Sequence, residues 1–168
     1  MKNVILIGMP ASGKSTVGVV LAKQLGFDFI DPDLLIQKKY QKKLAQIISE
    51  QGNDGFLAIE NQVNTDLCVE NSVIAPGGSV VYCEEAMAHY KESGVVVYLH
   101  ISYDKLYQRL TDTKNRGVVL KEGQSLQNLY DERRVLFEKY ADITIVQDDK
   151  KLAETIEAIV ACIENYNS

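Results

Sequence analysis

Residues 8–15 read Gly8-Met9-Pro10-Ala11-Ser12-Gly13-Lys14-Ser15, which matches the pattern GxxxxGK[ST] in full. They follow a short apolar run, residues 4–7, that is typical of a strand buried on both faces. The apolar periodicity of a helix begins shortly after them, at Val17. The pattern therefore lies between a strand and a helix, which is the context that a phosphate-binding loop requires.

The chemistry of such a loop explains each fixed position. Glycines allow the tight turn that points successive backbone N–H groups at phosphate oxygens, and the start of the next helix adds its positive dipole end. Lys14 is expected to reach the β- and γ-phosphates, and the Ser15 hydroxyl to bind Mg²⁺. The sequence thus predicts an ATP·Mg²⁺ site whose nucleotide-binding residues include Gly8, Ala11, Ser12, Gly13, Lys14, Ser15 and Thr16.

Apolar runs alternate with helix-period segments along the whole chain, and this order predicts an α/β domain with a parallel sheet of about five strands. Helices are expected at residues 17–25, 34–51 with a break near Gln41, 54–69, 84–92, 104–110, 126–140 and 152–163. Strands are expected at residues 4–7, 27–30, 73–75, 95–99 and 143–146. No linker or repeat interrupts the pattern, so residues 1–168 are read as a single domain.

Composition narrows the function classes. Apolar residues make up 46% of the chain and charged residues 24%, with a formal net charge of −5, so a nucleic-acid partner is not expected. Three widely spaced cysteines form no CxxC motif, which favours reduced thiols over a disulfide framework. No apolar stretch reaches the length of a signal-peptide core or a membrane span. We expect a cytoplasmic, soluble monomer.

The segment Asp31-Pro32-Asp33 follows the second predicted strand. In an open parallel sheet, ligands bind at this carboxyl edge. One carboxylate could hold Mg²⁺ through water while the other meets an acceptor hydroxyl. Asp before Pro is also an ordinary start of a helix, and both interpretations can hold together.

The loop at residues 8–15 does not by itself distinguish kinases from GTPases, motor domains or ATP-driven switches. The chain contains no Asn-Lys-x-Asp segment, which argues against a guanine-specific GTPase. A chain of 168 residues also has little room beyond a nucleotide core and one acceptor pocket. These observations favour a small-molecule kinase.

Further residues, at matching spacings over nearly the whole chain, make the sequence similar to the shikimate kinase family. After the phosphate-binding loop they are Thr16-Val17-Gly18, Phe29-Ile30-Asp31-Pro32-Asp33 with Ile36, Gly52, Phe56, Glu60, Val73-Ile74-Ala75-Pro76-Gly77-Gly78, Arg109, Arg116, Glu132-Arg133 and Tyr140-Ala141-Asp142. The resemblance implies the P-loop kinase fold, a three-layer sandwich with strand order 2-3-1-4-5. It also implies acceptor-binding helices at about residues 32–70 and a mobile lid at about residues 111–124.

The resemblance also implies a reaction, transfer of the γ-phosphoryl group of ATP to the 3-hydroxyl of shikimate. By it, Asp31 would join Ser15 around Mg²⁺, and Asp33 would bind the acceptor hydroxyl as base or orienter. Gly77 and Gly78 would let the backbone approach the acceptor, and Arg133 would bind its carboxylate. Arg116 would close over the phosphates, and Arg109 would lie near the nucleotide. Without the resemblance, each arginine could equally be a solvated surface residue.

Three positions depart from the family pattern, and the sequence suggests that they cluster around the acceptor pocket. Leu57 stands where the family has a carboxylate-binding arginine, Ser79 replaces the third glycine of a triplet, and Gly117 replaces a proline in the lid. Two alternatives therefore stay open: a kinase for another small hydroxy acid or polyol, and a regulator that binds ATP without catalysing transfer.

Overall fold

The computed structural model of the chain describes residues 2–112 and 125–168. Its strands are Asn3–Ile7 (β1), Asp28–Ile30 (β2), Ser72–Ile74 (β3), Gly94–His100 (β4) and Ile143–Val146 (β5). Its α-helices are Lys14–Leu25 (α1), Pro32–Tyr40 (α2), Leu44–Thr65 (α3), Glu84–Ser93 (α4), Tyr103–Asp112 (α5), Leu126–Tyr140 (α6) and Leu152–Tyr166 (α7). A 3₁₀ helix covers Gly78–Tyr82.

The strands form one parallel sheet in the order β2-β3-β1-β4-β5, which confirms the predicted order. β1 lies at the centre, with Val4 beside Val73 of β3 and Val95 of β4. The loop at residues 8–15 follows β1, so it lies at the middle of the carboxyl edge of the sheet. Ligands bind in parallel sheets at such an edge, where the strand order reverses.

Helices cover both faces of the sheet, which gives the expected three-layer sandwich. β4 shows why, because its side chains alternate between two buried clusters as the pleat of a strand requires. Val95, Val97 and Leu99 pack with residues of α1 and α7 on one face. Val96 and Tyr98 pack on the other face with residues of the 3₁₀ helix, α4, α5 and α6.

Helices α2 and α3 form a smaller unit at the carboxyl edge. Asp31 caps α2, with Pro32 in the first turn, and α2 ends at Gln41 in a left-handed conformation. This ending confirms the predicted break. α3 continues through a kink at Gly52, whose φ of 75° and ψ of 174° are not helical. Ile36, Ile47 and Phe56 form a third buried cluster that joins the two helices.

Two details differ from the sequence-based expectation. α1 begins at Lys14 rather than near Val17, because the left-handed Gly13 starts the helix inside the loop, among polar residues that show no apolar periodicity. Residues 78–82, to which the sequence pattern assigned no element, form a 3₁₀ helix. Of the predicted lid, residues 111 and 112 belong to α5, and the remaining residues, with Arg116 and Gly117, lie outside the described part of the chain. Among the described residues, no helix is long and apolar enough to cross a membrane.

Candidate active site

A cavity of about 730 Å³ opens at the carboxyl edge of the sheet, between the phosphate-binding loop and helices α2, α3 and α6. It is lined by residues that the sequence singled out from distant parts of the chain: Ala11, Gly13, Lys14, Ser15, Thr16, Asp31, Asp33, Gly77, Gly78, Arg109 and Arg133. Gly8 and Ser12 are buried and are not among its lining residues. The cavity therefore combines the predicted nucleotide site with the predicted acceptor site.

The phosphate-binding loop is held in a strained form by contacts from later elements. Ala11 adopts a left-handed conformation with φ 66°, which costs a non-glycine residue free energy on the order of 1 kcal/mol. Arg109 Nη1 donates a hydrogen bond to the Ala11 carbonyl oxygen at 3.1 Å. Gln147, which sequence reasoning did not single out, donates from Nε2 to the Ser12 carbonyl oxygen at 2.9 Å.

Lys14 is buried at the floor of the cavity. Its Nζ donates hydrogen bonds of 2.9 Å to the carbonyl oxygens of Gly8 and Met9. These contacts hold the ammonium group beneath the loop, beside the backbone that would surround a bound phosphate. A phosphate in the loop would therefore meet a cation that is already in place.

Asp31 and Asp33 extend from the end of β2 into the cavity. Asp31 Oδ1 accepts a hydrogen bond of 2.9 Å from the backbone N–H of Asp33, so the capping interpretation of this segment is confirmed. Burial, and next the negative charge of Asp31, raise the pKa of the Asp33 carboxyl to about 6, while Lys14 opposes the shift. The Asp33 carboxylate is close to Gly77, because a Cβ at Gly77 would lie 3.0 Å from both of its oxygens.

Arg133 brings a guanidinium group into the same cavity from α6. Its side chain is 1% exposed, and its Cζ lies 5.5 Å from the centre of the Tyr82 ring. A Cβ at Gly78 would lie 3.0 Å from Arg133 Nη1 and 2.8 Å from Pro10 Cδ. The absence of side chains at Gly77 and Gly78 thus leaves room for both Asp33 and Arg133 at the cavity wall.

Glu60 also lines the cavity, although its side chain is 0% exposed. Its Oε1 accepts a hydrogen bond of 2.7 Å from the Ser79 hydroxyl. Burial raises the pKa of the Glu60 carboxyl to about 8. The spacing of Phe56, Glu60 and Asn64, four residues apart, could have identified it, since this spacing places a glutamate on the buried face of α3.

Comparison with known proteins decides the family. A sequence model of the family described as shikimate kinase matches residues 10–164 of the chain. The chain belongs to the shikimate kinase family. A shikimate kinase of Thermodesulfovibrio yellowstonii is 36% identical over 171 residues, covering 100% of this chain and 98% of the relative. A shikimate kinase of Haemophilus influenzae strain PittEE is 32% identical over 170 residues, covering 99% and 94%.

A solved structure is also similar, the shikimate kinase from Acinetobacter baumannii in complex with shikimate. It is 30% identical, with a TM-score of 0.90, and the match covers 99% of this chain and 94% of the other. Members of the shikimate kinase family are phosphotransferases with an alcohol group as acceptor, so the predictions of an enzyme and of its reaction class are confirmed.

The departures from the family pattern differ in where they lie relative to the cavity. Phe56 and Glu60 line the cavity, whereas Leu57 is half-buried and packs against the apolar core on one face of the sheet. Leu57 is nonetheless only three residues before Glu60 on the same helix, so a longer side chain at this position could reach the cavity wall. Ser79 does line the cavity, and Gly117 lies outside the described residues.

Proposed function

We propose that this chain transfers the γ-phosphoryl group of ATP to the 3-hydroxyl of shikimate. The observation that carries the proposal is that Lys14, Asp33 and Arg133 all line one cavity. A phosphate ligand, a base for a hydroxyl group and a cation for a carboxylate are the groups that this reaction needs. The relative from Acinetobacter baumannii, solved with shikimate, supports the choice of acceptor.

The nucleotide would bind along the loop at residues 8–15. Backbone N–H groups of the loop and the start of α1 would surround the phosphates, and Lys14 would contact the β- and γ-phosphates. We assign the nucleotide contacts to Gly8, Ala11, Ser12, Gly13, Lys14, Ser15, Thr16 and Arg109.

Ser15 and Asp31 fit a magnesium ion that is shared with the nucleotide. Both line the cavity, and Mg²⁺ is usually held by one or two protein oxygens together with phosphate oxygens and water. The described residues contain no cluster of three or more His, Cys, Asp or Glu side chains that could hold a metal by itself. When bound, the ion would neutralise charge that develops on the phosphates.

The acceptor would occupy the wall formed by Asp33, Gly77, Gly78 and Arg133. Arg133 would bind the carboxylate. Asp33 would accept the proton of the 3-hydroxyl while the oxygen of that hydroxyl forms a bond to the γ-phosphorus. The bond from that phosphorus to the bridging oxygen breaks, and ADP keeps the electron pair. We further propose that Arg116, in a lid at about residues 111–124, contacts the transferring group as a catalytic residue.

We retain the expectations of a single domain with acceptor-binding helices at about residues 32–70, a cytoplasmic location, a monomer and no nucleic-acid partner. The three cysteines are free thiols, as the reducing cytoplasm favours.

Two alternatives were left open, a kinase for another small hydroxy acid or polyol and a regulator that binds ATP without catalysing transfer. The comparisons with known proteins favour neither of them. The test is ADP release from ATP·Mg²⁺ with shikimate, quinate, gluconate or no acceptor. We expect stimulation by shikimate far above that by the other acids. Stimulation by gluconate or quinate alone would move the acceptor to another hydroxy acid, and ADP release without stimulation by any acceptor would support uncoupled hydrolysis.

Replacing Arg109 tests the nucleotide end of the cavity. Arg109→Ala removes the hydrogen bond to the Ala11 carbonyl oxygen, which helps to hold the strained loop. We expect the KM for ATP to rise about fivefold to tenfold, the usual effect of one lost hydrogen bond, with the KM for shikimate unchanged. The matched control is Arg134→Ala, because Arg134 is exposed on α6 and pairs with Glu138. A larger effect on shikimate than on ATP would contradict the assignment.

Replacing Leu57 tests the acceptor end. Leu57→Arg places a guanidinium group three residues before Glu60 on α3, near enough to pair with that carboxyl and reach the cavity. If the acceptor carries a carboxylate, we expect its KM to fall about tenfold or more, the effect of a charge-assisted hydrogen bond. Leu57→Met keeps the apolar contacts and should leave KM unchanged. An unaltered KM in the arginine variant would show that the carboxylate does not point towards α3.

A further inference from the structure

The two oxygens of the Glu60 carboxyl have different surroundings. Oε1 accepts the hydrogen bond from the Ser79 hydroxyl. Oε2 is buried and has no hydrogen-bond partner among the described residues. It lies at the cavity wall beside Gly77, where a Cβ would be 3.1 Å away from it. Buried polar atoms normally have a partner, so Oε2 is placed to bind something that enters the cavity.

Ser79 determines which oxygen of Glu60 is paired and which is left without a partner. It is buried in the 3₁₀ helix Gly78–Tyr82, and its hydroxyl holds Oε1. The backbone near Glu60 is held as well, since Asn64 Nδ2 donates to the Glu60 carbonyl oxygen at 2.7 Å and Tyr90 donates from its hydroxyl to Asn64. The Ser79 hydrogen bond therefore holds the carboxyl group, and the Asn64 hydrogen bond holds the backbone that carries it.

The departures at Leu57 and Ser79 both bear on this carboxyl group. Leu57 stands one helical turn before Glu60, where the family pattern has an arginine that could pair with it. Ser79 stands where the family pattern has a glycine, which has no side chain to donate a hydrogen bond. In this chain a neutral hydroxyl contacts the glutamate, and no guanidinium group is available at position 57.

The groups that face Glu60 determine its protonation state. Burial is the largest influence and Asp33 adds to it, raising the Glu60 pKa to about 8, while the Ser79 hydrogen bond, Arg133 and Lys14 oppose the shift. Cys83 and Tyr90 also face Glu60, and burial raises the pKa of each, so both are uncharged near neutral pH. With Oε1 accepting from Ser79, the proton of the neutral carboxyl belongs on Oε2.

We propose that Glu60, positioned by Ser79, is a specificity-determining residue that donates a hydrogen bond from Oε2 to an oxygen of the bound hydroxy acid. The inference rests on the proposed function only in taking shikimate as that acid. It gives the chain an uncharged donor in place of the family's second arginine. Loss of the Glu60 proton would remove the donor and add a negative charge beside an anionic acceptor.

The test is the dissociation constant of shikimate, measured by calorimetry without nucleotide between pH 6.5 and 9.5. For the unaltered chain we expect binding to weaken above pH 8, approaching tenfold for each further pH unit. Glu60→Gln keeps a donor that does not titrate, so its affinity at pH 7 should stay within about threefold of the unaltered chain and show no alkaline loss. If Glu60→Gln still lost shikimate affinity at alkaline pH, the proposal would be overturned.

Ser79→Ala tests the positioning role. We expect shikimate affinity at pH 7 to fall about fivefold to tenfold, and the alkaline loss to move to higher pH, because the Ser79 hydrogen bond lowers the Glu60 pKa. Ser79→Thr keeps the hydroxyl and should restore affinity. Ser72→Ala is the matched control, since Ser72 is 1% exposed and donates one hydrogen bond of 3.0 Å to the Glu70 carbonyl oxygen, outside the cavity lining.

Thermal unfolding of the chain without ligand supplies a second readout. The pKa of the Glu60 carboxyl is higher in the folded chain, about 8, than its ordinary value of 4.5. The folded chain therefore loses stability as pH rises between these two values. Glu60→Gln should therefore raise the melting temperature more at pH 8 than at pH 5. An equal change in melting temperature at pH 5 and pH 8 would contradict the neutral state of Glu60. A pH dependence of shikimate binding that neither Glu60→Gln nor Ser79→Ala alters would overturn this inference alone, whereas no binding to the unaltered chain would overturn the proposed function with it.

Discussion

Lys14→Ala should reduce kcat by about 10²- to 10³-fold while the chain keeps its fold. Lys14 is the cation at the floor of the loop, and its Nζ donates hydrogen bonds to the carbonyl oxygens of Gly8 and Met9. An alanine would leave the sheet and its two large apolar clusters untouched. The developing charge on the transferring phosphoryl group would then lose its nearest fixed cation from the loop. The measurement is steady-state ADP release, with circular dichroism to check the fold.

Lys23→Ala provides the matched control for this variant. Lys23 lies in the last turn of the same helix, α1, and is exposed. Its loss should leave kcat within about twofold of the unaltered chain, because an exposed charge this far from the cavity is well screened. Unchanged turnover in Lys14→Ala, or an equal loss in the two variants, would contradict the assignment of the loop as the phosphate site.

Asp33→Asn should lower kcat by about 10²- to 10⁴-fold, the contribution of a general base. The amide has the same shape as the carboxylate, and the hydrogen bond that the backbone N–H of residue 33 donates to the capping Asp31 carboxylate is retained. Asparagine cannot accept the hydroxyl proton, so the chemical step should fail more than acceptor binding. We therefore expect a much larger change in kcat than in the KM for shikimate.

Asp28→Asn is the control for that replacement, because Asp28 is exposed at the start of β2, at the opposite end of the strand from the cavity. In Asp28→Asn, kcat and the KM for shikimate should change by no more than about twofold. If Asp33→Asn changed only the KM for shikimate and left kcat intact, Asp33 would orient the acceptor without taking its proton.

The sequence predicted the fold well because its signals were local or carried by the family resemblance. The strand, loop and helix around residues 4–25 form one uninterrupted pattern, and the break expected near Gln41 is where α2 ends. The strand order came from the resemblance rather than from the pattern, and the structure confirms it. The start of α1 was placed too late because polar loop residues form its first turn.

The cavity was harder to predict, since it depends on which way side chains point. Leu57 is not among the cavity-lining residues and packs against the apolar core, a detail that its position in the sequence does not show. Glu60 was noticed as part of the family pattern but not as a cavity residue, because glutamate on a helix is usually solvated. Gln147 gave no local signal, as its contact with Ser12 joins residues 135 positions apart.

The roles of the individual site residues remain predictions. The most direct test of the central claim identifies the product by ³¹P NMR after incubation with ATP·Mg²⁺ and shikimate. The predicted result is a phosphomonoester on the 3-hydroxyl of shikimate, formed in equal amount with ADP. ADP accompanied only by inorganic phosphate, or unchanged ATP, would contradict transfer to shikimate.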